Sequence, residues 1–286
     1  MKSVFRLVSR LVLAVLILIV LLGLFQVYFI YGRSAKPMER TEVKPGIFVT
    51  VEEVSGSDGT EGLVVTTEVY WDTPGVSFEL RPLEQGPDGL WNRVTLIFQD
   101  WPVLTKGYVA LMNTSRIFEH EWHHNYPFKR ATFIEPLIER GQLSHYWEHV
   151  YMMWWDDDLN ATFEEEKPIS DFVVENAYWG IGLQGGLVRE GSFRPGASDR
   201  DLPQPLPISF IGIDAERKVL YLIAFENASE EFAANYATSM GVVEGGRVDS
   251  RNGTHLILGR GTGQFLRGVR NLRFLSGYIG VRYDEP

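Results

Sequence analysis

Short runs of β-branched and aromatic residues, divided by segments rich in Gly, Pro and Asp, recur along the chain from about residue 45 onward. Runs of this length with this punctuation are typical of β-strands joined by turns. Their close spacing in the first part of the chain favours antiparallel pairing. We predict strands over 47–54, 63–70, 76–80, 94–98, 179–188, 208–214 and 219–225.

Residues 229–240 have the pattern of a helix instead. Ser229 is a good N-cap, and Gly241 is a residue that ends helices. The helical period brings four apolar residues onto one face: Phe232, Ala233, Tyr236 and Ala237.

The N-terminus carries the longest apolar run, residues 11–31, in which Gln26 is the one strongly polar side chain. Its length and the preceding Lys2, Arg6 and Arg10 predict a membrane-spanning helix. The run is long for a cleaved signal peptide, so we favour an uncleaved anchor. Residues 1–10 are then cytoplasmic, 32–45 form a polar tether, and the remainder is extracytoplasmic, in the periplasm or at the cell surface.

Residues 46–286 show no break in composition, so we predict one domain of the α/β (mixed α+β) class. It would contain a mixed, largely antiparallel sheet with flanking helices. The chain is 45% hydrophobic and has no cysteine, so its stability must come from a core rather than from disulfides. The lack of cysteine also suggests a bacterial source, and the net charge of −10 argues against binding to nucleic acid.

The histidines of the middle region raise a zinc hypothesis. His120 to His124 fits H-E-x-x-H, the zinc-peptidase pattern, and His145 to His149 fits its inverted form. Pro127 would end the helix that the first motif needs. A zinc-dependent hydrolase or peptidase therefore stays an alternative, with His120, His124 and His149 as the metal ligands and zinc or another divalent ion as the cofactor. The main interpretation requires no cofactor.

Residues 245–254 are the main candidate for a site. Two glycines enter this stretch, Asp249 lies at its centre, and short polar side chains follow it before the apolar run 256–258. This pattern predicts a turn that feeds a buried strand, close to a sheet edge, with its acid facing a cleft. A plain hairpin turn capped by Asp and Asn is the alternative.

The order of these motifs resembles the phosphodiester glycosidase domain, a family that includes the uncovering enzyme and bacterial proteins linked to exopolysaccharide. The resemblance runs from about residue 94 to the C-terminus. The resemblance rests on Asn113 after an apolar strand, on segments 179–186 and 210–214, on the helix, and on segment 245–259. It implies a hydrolase that cleaves the bond between a sugar's anomeric carbon and a phosphodiester, with a carbohydrate phosphodiester as the partner.

The resemblance also implies roles for single residues. Asp249 matches the family's acid and would be the catalytic residue. Thr114 and Ser115 replace glycines that follow the family's asparagine, and Ile208-Ser209 stands where Arg-Thr is expected. The predicted substrate-binding residues are Asn113, Gly246, Ser250, Arg251, Gly253 and Thr254.

The missing arginine matters because a phosphodiester needs a cation or several hydrogen-bond donors. The segment from Met240 to Pro286 has seven arginines against four acidic residues, a net +3, so Arg247 or Arg251 is a candidate phosphate ligand. Glycoside cleavage usually takes two carboxyl groups. Candidates for the second are Asp214, Asp156 and Glu244. The replaced glycines leave a further alternative, a catalytically inactive glycan-binding relative.

Overall fold

A computed structural model of the chain describes twelve segments of it: residues 2–31, 36–82, 91–92, 107–114, 117–119, 130–133, 137–143, 151–164, 169–194, 204–250, 256–259 and 277–285. By its internal contacts the chain divides into two units, Met1–Ser34 and Ala35–Pro286.

The first unit is one helix, α1, Lys2–Tyr31. The side chains of residues 10–24 are all exposed. The helix lies where the sequence predicts one. Among the described residues, no helix is long and apolar enough to cross a membrane.

The second unit is built on a sheet of eight strands in the order β1-β2-β3-β17-β16-β18-β14-β15. Each pairing in it is antiparallel. Its strands are β1 Met38–Lys44, β2 Ile47–Ser55, β3 Glu61–Tyr70, β14 Gly185–Arg189, β15 Ser192–Phe193, β16 Leu206–Asp214, β17 Val219–Ala228 and β18 Glu244–Ser250.

Three smaller antiparallel sheets complete the described strands. The four-stranded one contains β19 Leu256–Leu258, β6 Tyr108–Asn113, β20 Gly277–Tyr283 and β4 Val76–Pro82. The five-stranded one contains β10 Gln142–Leu143, β9 Leu137–Glu139, β13 Trp179–Leu183, β11 Tyr151–Trp155 and β12 Ala161–Glu164. The three-stranded one contains β5 Trp91–Asn92, β8 Arg130–Phe133 and β7 Ile117–Glu119.

The main core forms where one face of the eight-stranded sheet packs against the four- and five-stranded sheets. Ile211 and Val248 contribute to it from the first sheet, Met112 from the second, and Met153 and Ile181 from the third. Because strand side chains alternate between faces, the same strands also supply a second core on the opposite side. The burial of these apolar surfaces is the dominant favourable contribution to folding.

Within the described segments, two short helices cover the outer faces of the sheets. Helix α2, Asp171–Asn176, packs in a small apolar cluster with β9 and β11. Helix α3, Glu230–Met240, covers the second core through its alanines, Ala233, Ala234 and Ala237. The Ser229 side chain accepts a hydrogen bond from the backbone N–H of Phe232, and Gly241 ends the helix in the left-handed conformation, as predicted.

The observed architecture is thus mostly antiparallel β-sheet with few helices, which is less helical than the predicted α/β class. Two segments differ from the prediction. Met38–Lys44, assigned to the tether, form the edge strand β1. Residues 244–250, assigned largely to a turn, form β18, which lies inside the sheet between β16 and β14. The predicted strand at 94–98 lies outside the described residues.

Candidate functional site

A hydrogen bond between two buried side chains joins the four-stranded sheet to the eight-stranded one. Asn113 is the last residue of β6 and is 2% exposed, and Ser209 in β16 is fully buried. Ser209 Oγ donates to Asn113 Oδ1 over 2.7 Å. The two residues are 96 positions apart in the sequence. The contact depends entirely on how the two sheets pack.

The register of β18 against β16 brings Asp249 to the same place. Asp249 is the Cα partner of Ser209, and Arg247 is the Cα partner of the next residue, Phe210. Val248 is therefore an extra residue in β18, which is a β-bulge. Ser209 thus has Asn113 as a side-chain partner and Asp249 as its backbone register partner, while the side chain of Asp249 lies outside the described part of the structure.

Gln184, the residue before β14, contacts the same part of β18. It is fully buried, and its backbone N–H donates to the Arg247 carbonyl over 2.7 Å. Its side-chain Nε2 donates to the Val248 carbonyl over 2.8 Å. Among the described residues, its Oε1 has no hydrogen-bond partner. A buried amide therefore holds the bulge that precedes Asp249.

The two glycines at the start of β18 are needed for close backbone packing and not for a turn. Neither has a positive φ angle. A Cβ on Gly246 would collide with the Gly185 carbonyl oxygen, and one on Gly245 would lie 2.7 Å from the Ile211 carbonyl oxygen. Gly246, predicted to bind substrate, therefore has a clear role in strand packing.

Arg247 has a different environment from the one the sequence hypothesis gave it. Its side chain is 1% exposed, and Nη1 lies 3.0 Å from Oε1 of Glu230, the first residue of α3. An arginine so deeply buried in an ion pair has no surface with which to receive a substrate phosphate. The hypothesis of a phosphate contact by Arg247 is corrected accordingly, and Arg251 lies outside the described residues.

The three candidates for a second carboxylate lie away from Ser209. Asp214 ends β16 and accepts a bond from the backbone N–H of Arg217 in the hairpin turn. Asp156 accepts bonds from Asn160, which lower its pKa, and so stabilises another turn. Glu244 begins β18, five residues before Asp249, which is roughly 17 Å along a strand.

Glu244 is a half-buried acid with a shifted pKa. Burial raises its pKa above the ordinary value of 4.5. Its Oε1 accepts a bond from the backbone N–H of Glu190, and within the described part of the chain its Oε2 is buried without a partner.

Several predicted site residues receive no structural description. Arg251, Gly253 and Thr254 lie outside the described residues, as do His120, His124 and His149 of the zinc hypothesis. Ser250 is described only in its backbone, as the register partner of Ile208. The described residues contain no group of three His, Cys, Asp or Glu that could hold a metal ion.

Three buried polar residues at this point were not selected from the sequence. Gln184 belongs to the segment 179–186 that carried the family resemblance, and Ser209 was noted where the family has Arg-Thr, but nothing in their local pattern assigned them a role. Thr114 is fully buried, and no described residue pairs with its Oγ1. The signal that would have found all three is polarity within otherwise apolar strands, because buried polar groups are costly unless they are paired or functional.

Neither a family model nor a curated protein sequence matches the chain. Solved structures do match it. The catalytic domain of zebrafish N-acetylglucosamine-1-phosphodiester alpha-N-acetylglucosaminidase, auto-inhibited by its pro-peptide, has a TM-score of 0.60 and 13% identity, covering 88% of each chain.

Two further structures match with lower TM-scores. A hypothetical protein from Synechocystis has a TM-score of 0.51 and 16% identity, over 87% of this chain and 64% of that one. A putative exported protein from Burkholderia pseudomallei has a TM-score of 0.51 and 8% identity, over 78% and 74%. At these identities the likeness is one of fold, and the fold is similar to that of the catalytic domain of the zebrafish enzyme.

Proposed function

We propose that this protein is a hydrolase of sugar-1-phosphodiesters in polysaccharide or cell-envelope glycan metabolism, with Asp249 as its catalytic residue. The observation that carries the proposal is that Ser209 bonds to Asn113 through its side chain and is the register partner of Asp249. The family resemblance selects both Asn113 and Asp249, and the similarity of the fold to the catalytic domain of a phosphodiester glycosidase supports their assignment to one site.

The proposed reaction breaks the bond between the anomeric carbon and the phosphate oxygen. Water supplies a hydroxyl to the carbon, and the leaving phosphodiester oxygen retains its electron pair or takes up a proton. Asp249 acts as a general acid or base, or as the nucleophile, which are the roles carboxyl groups have in glycoside cleavage. None of the three other carboxylates named from the sequence lies near Ser209, so we assign Asp249 alone.

Substrate binding is assigned to polar groups around Asp249. The assignment of Asn113 to a sugar hydroxyl stays a prediction, because its side chain is 2% exposed and accepts a hydrogen bond from Ser209. Ser250, Arg251, Gly253 and Thr254 follow Asp249 in the chain, and their contacts with the sugar or the phosphate remain predictions. Arg251 is the cation we propose for the phosphate, since Arg247 is paired with Glu230. The extracytoplasmic location remains a prediction from residues 1–31.

The test is sugar release from UDP-N-acetylglucosamine by the full-length protein. Wild type should release free sugar, and Asp249→Asn should lower kcat by at least about 100-fold, because proton transfer by a placed carboxyl contributes that much or more. Asp158→Asn is the matched control, since Asp158 is exposed in the turn after β11.

Equal rates in wild type and Asp249→Asn would overturn the assignment of Asp249. No release by wild type, together with measurable binding of the sugar nucleotide, would favour the inactive glycan-binding alternative.

A further inference from the structure

Gln184 occupies a special place in the topology. It is the single residue between β13, in the five-stranded sheet, and β14, in the eight-stranded sheet. At such a junction the backbone leaves one sheet and enters another. Gln184 is nevertheless fully buried, where a polar side chain is costly unless its groups are paired.

The two donors of Gln184 bond to successive carbonyls of β18. The backbone N–H bonds to the carbonyl of Arg247, the residue whose register partner in β14 is Gly185. The side-chain Nε2 bonds to the carbonyl of Val248, the next one along β18. The side-chain amide therefore supplies a hydrogen bond to the backbone of the sheet at Val248.

Val248 is the residue where that replacement matters most. As the bulge residue it has no Cα partner in β16, and it is fully buried. A buried carbonyl without a partner costs about 1–3 kcal/mol, so the bulge needs a donor from outside the regular ladder. The bulge in turn determines that Asp249, and not Val248, is the register partner of Ser209.

Stability alone does not explain a glutamine here. Its Oε1 is buried, and no described residue donates to it, so the side chain stabilises the bulge with one group while it leaves the other unsatisfied. Unsatisfied buried groups are uncommon in folded proteins and concentrate where a function requires them.

We propose that Gln184 is a positioning residue for Asp249, which it holds in its catalytic register by binding the Val248 carbonyl. This inference rests on the proposed function. It assigns a role to the segment 179–186, which the family resemblance singled out without one. Gln184 acts through the backbone of β18.

The first variant is Gln184→Met, which keeps the length of the side chain and removes its donor. We expect kcat for sugar release to fall about 10- to 100-fold, because small displacements of a catalytic group have effects of that size, while KM changes less than about threefold. The matched control is Gln204→Met, since the Gln204 side chain also bonds to the backbone, at the N–H of Glu230. The control should retain kcat within about twofold.

The second variant is Gln184→Glu, which separates positioning from simple loss of packing. A protonated carboxyl has an O–H that can donate to the Val248 carbonyl, whereas a carboxylate has no donor. The activity of this variant relative to wild type should therefore rise as the pH falls. Gln184→Met should show no such rescue at any pH.

Hydrogen exchange provides a readout that does not depend on activity. In Gln184→Met the backbone amides of Val248 and Asp249 should exchange at least about tenfold faster, while those of β17 stay unchanged. If wild type releases no sugar, the proposed function fails, and exchange still decides whether Gln184 holds the bulge. Unchanged exchange, an unchanged kcat, or the same pH dependence in both variants would overturn the inference.

Discussion

Two neighbouring strands each make a buried polar contact, and each contact includes a residue that the sequence hypothesis assigned to substrate binding. The two contacts nevertheless differ in their expected roles. On one side, Arg247 in β18 pairs with Glu230 at the start of α3. On the other, Ser209 in β16 donates to Asn113 at the end of β6. Arg247 is two residues from Asp249, whereas Asn113 lies in a distant part of the sequence and in a different sheet.

The difference shows that sequence distance from a catalytic residue is a poor guide to function. Residues two apart in a regular strand share a face, but the bulge at Val248 breaks this pattern in β18. Arg247 and Asp249 therefore pair with Phe210 and Ser209, which are consecutive residues of β16 and face opposite sides of the sheet. The partner of Arg247 belongs to the helix that covers the second core, while Ser209 and Asn113 tie two sheets together. The first contact ties β18 to helix α3, and on the proposed function the second borders the site.

The largest effect should follow from breaking the first contact. Arg247→Met leaves the Glu230 carboxylate buried without its cation, which should lower the free energy of unfolding by about 3–5 kcal/mol. Chemical denaturation of both proteins measures this directly. At temperatures where the variant is folded, its KM should stay within about threefold of wild type.

A double variant sharpens that result. Glu230→Gln in the Arg247→Met background removes the stranded charge and should recover part of the lost stability. A stable Arg247→Met protein with a raised KM that no longer depends on salt would contradict this account, since that is the behaviour of a phosphate ligand.

For the contact between Ser209 and Asn113 we expect a smaller loss of stability and a larger loss of activity. Ser209→Ala removes the donor to Asn113 and should cost about 1–3 kcal/mol of stability, because a buried acceptor loses its partner. Its kcat should nevertheless fall about tenfold or more, measured by sugar release well below the Tm. Ser209→Thr keeps the hydroxyl and is the control. If Ser209→Ala loses stability but keeps its kcat, this contact is structural in the same sense as the first.

We expect the smallest effect on stability from a substitution of Glu244, at the end of β18 that is far from Asp249. This substitution tests whether that end of the strand has a purely structural role. Its folded-state pKa is raised by burial, so its ionisation lowers stability as the pH rises through that pKa. Glu244→Gln should raise the Tm at pH 7 by on the order of 1–2 °C and should leave kcat unchanged. The difference in Tm should vanish below pH 4.5, the ordinary value, where both side chains are neutral. A fall in kcat would mean that Glu244 takes part in the reaction.

Much of the fold was predictable because local patterns report local structure. The strands at 47–54, 63–70, 208–214 and 219–225 and the helix after Ser229 are confirmed. The segment 245–250 was read as a turn because glycine is common in turns. In the structure Gly245 and Gly246 are strand residues, since two neighbouring backbones approach too closely for a side chain. Local sequence carries no information about that approach.

In the candidate site, too, some residues could be identified from the sequence and others only from the structure. The family resemblance singled out Asn113 and Asp249, and Asp249 was also the acid at the centre of the glycine-led segment 245–254. Ser209 and Gln184 were not singled out, because their importance comes from partners far away in the chain. The hydrogen bonds of Ser209 to Asn113 and of Gln184 to Val248 span 96 and 64 positions.

The amino-acid sequence by itself determined that the chain is rich in β-strands and has no disulfides, and it determined the periods of its strands and its helix. It also supplied the residue types on which the proposed action on a sugar phosphodiester depends. Those properties follow from side-chain chemistry and from repeats a few residues long. The tertiary structure decided which polar residues meet. The register of β18 and its bulge at Val248 align Asp249 with Ser209, and the burial of Glu230 commits Arg247 to an ion pair. Register and sheet packing depend on contacts between distant segments, which a local pattern does not specify.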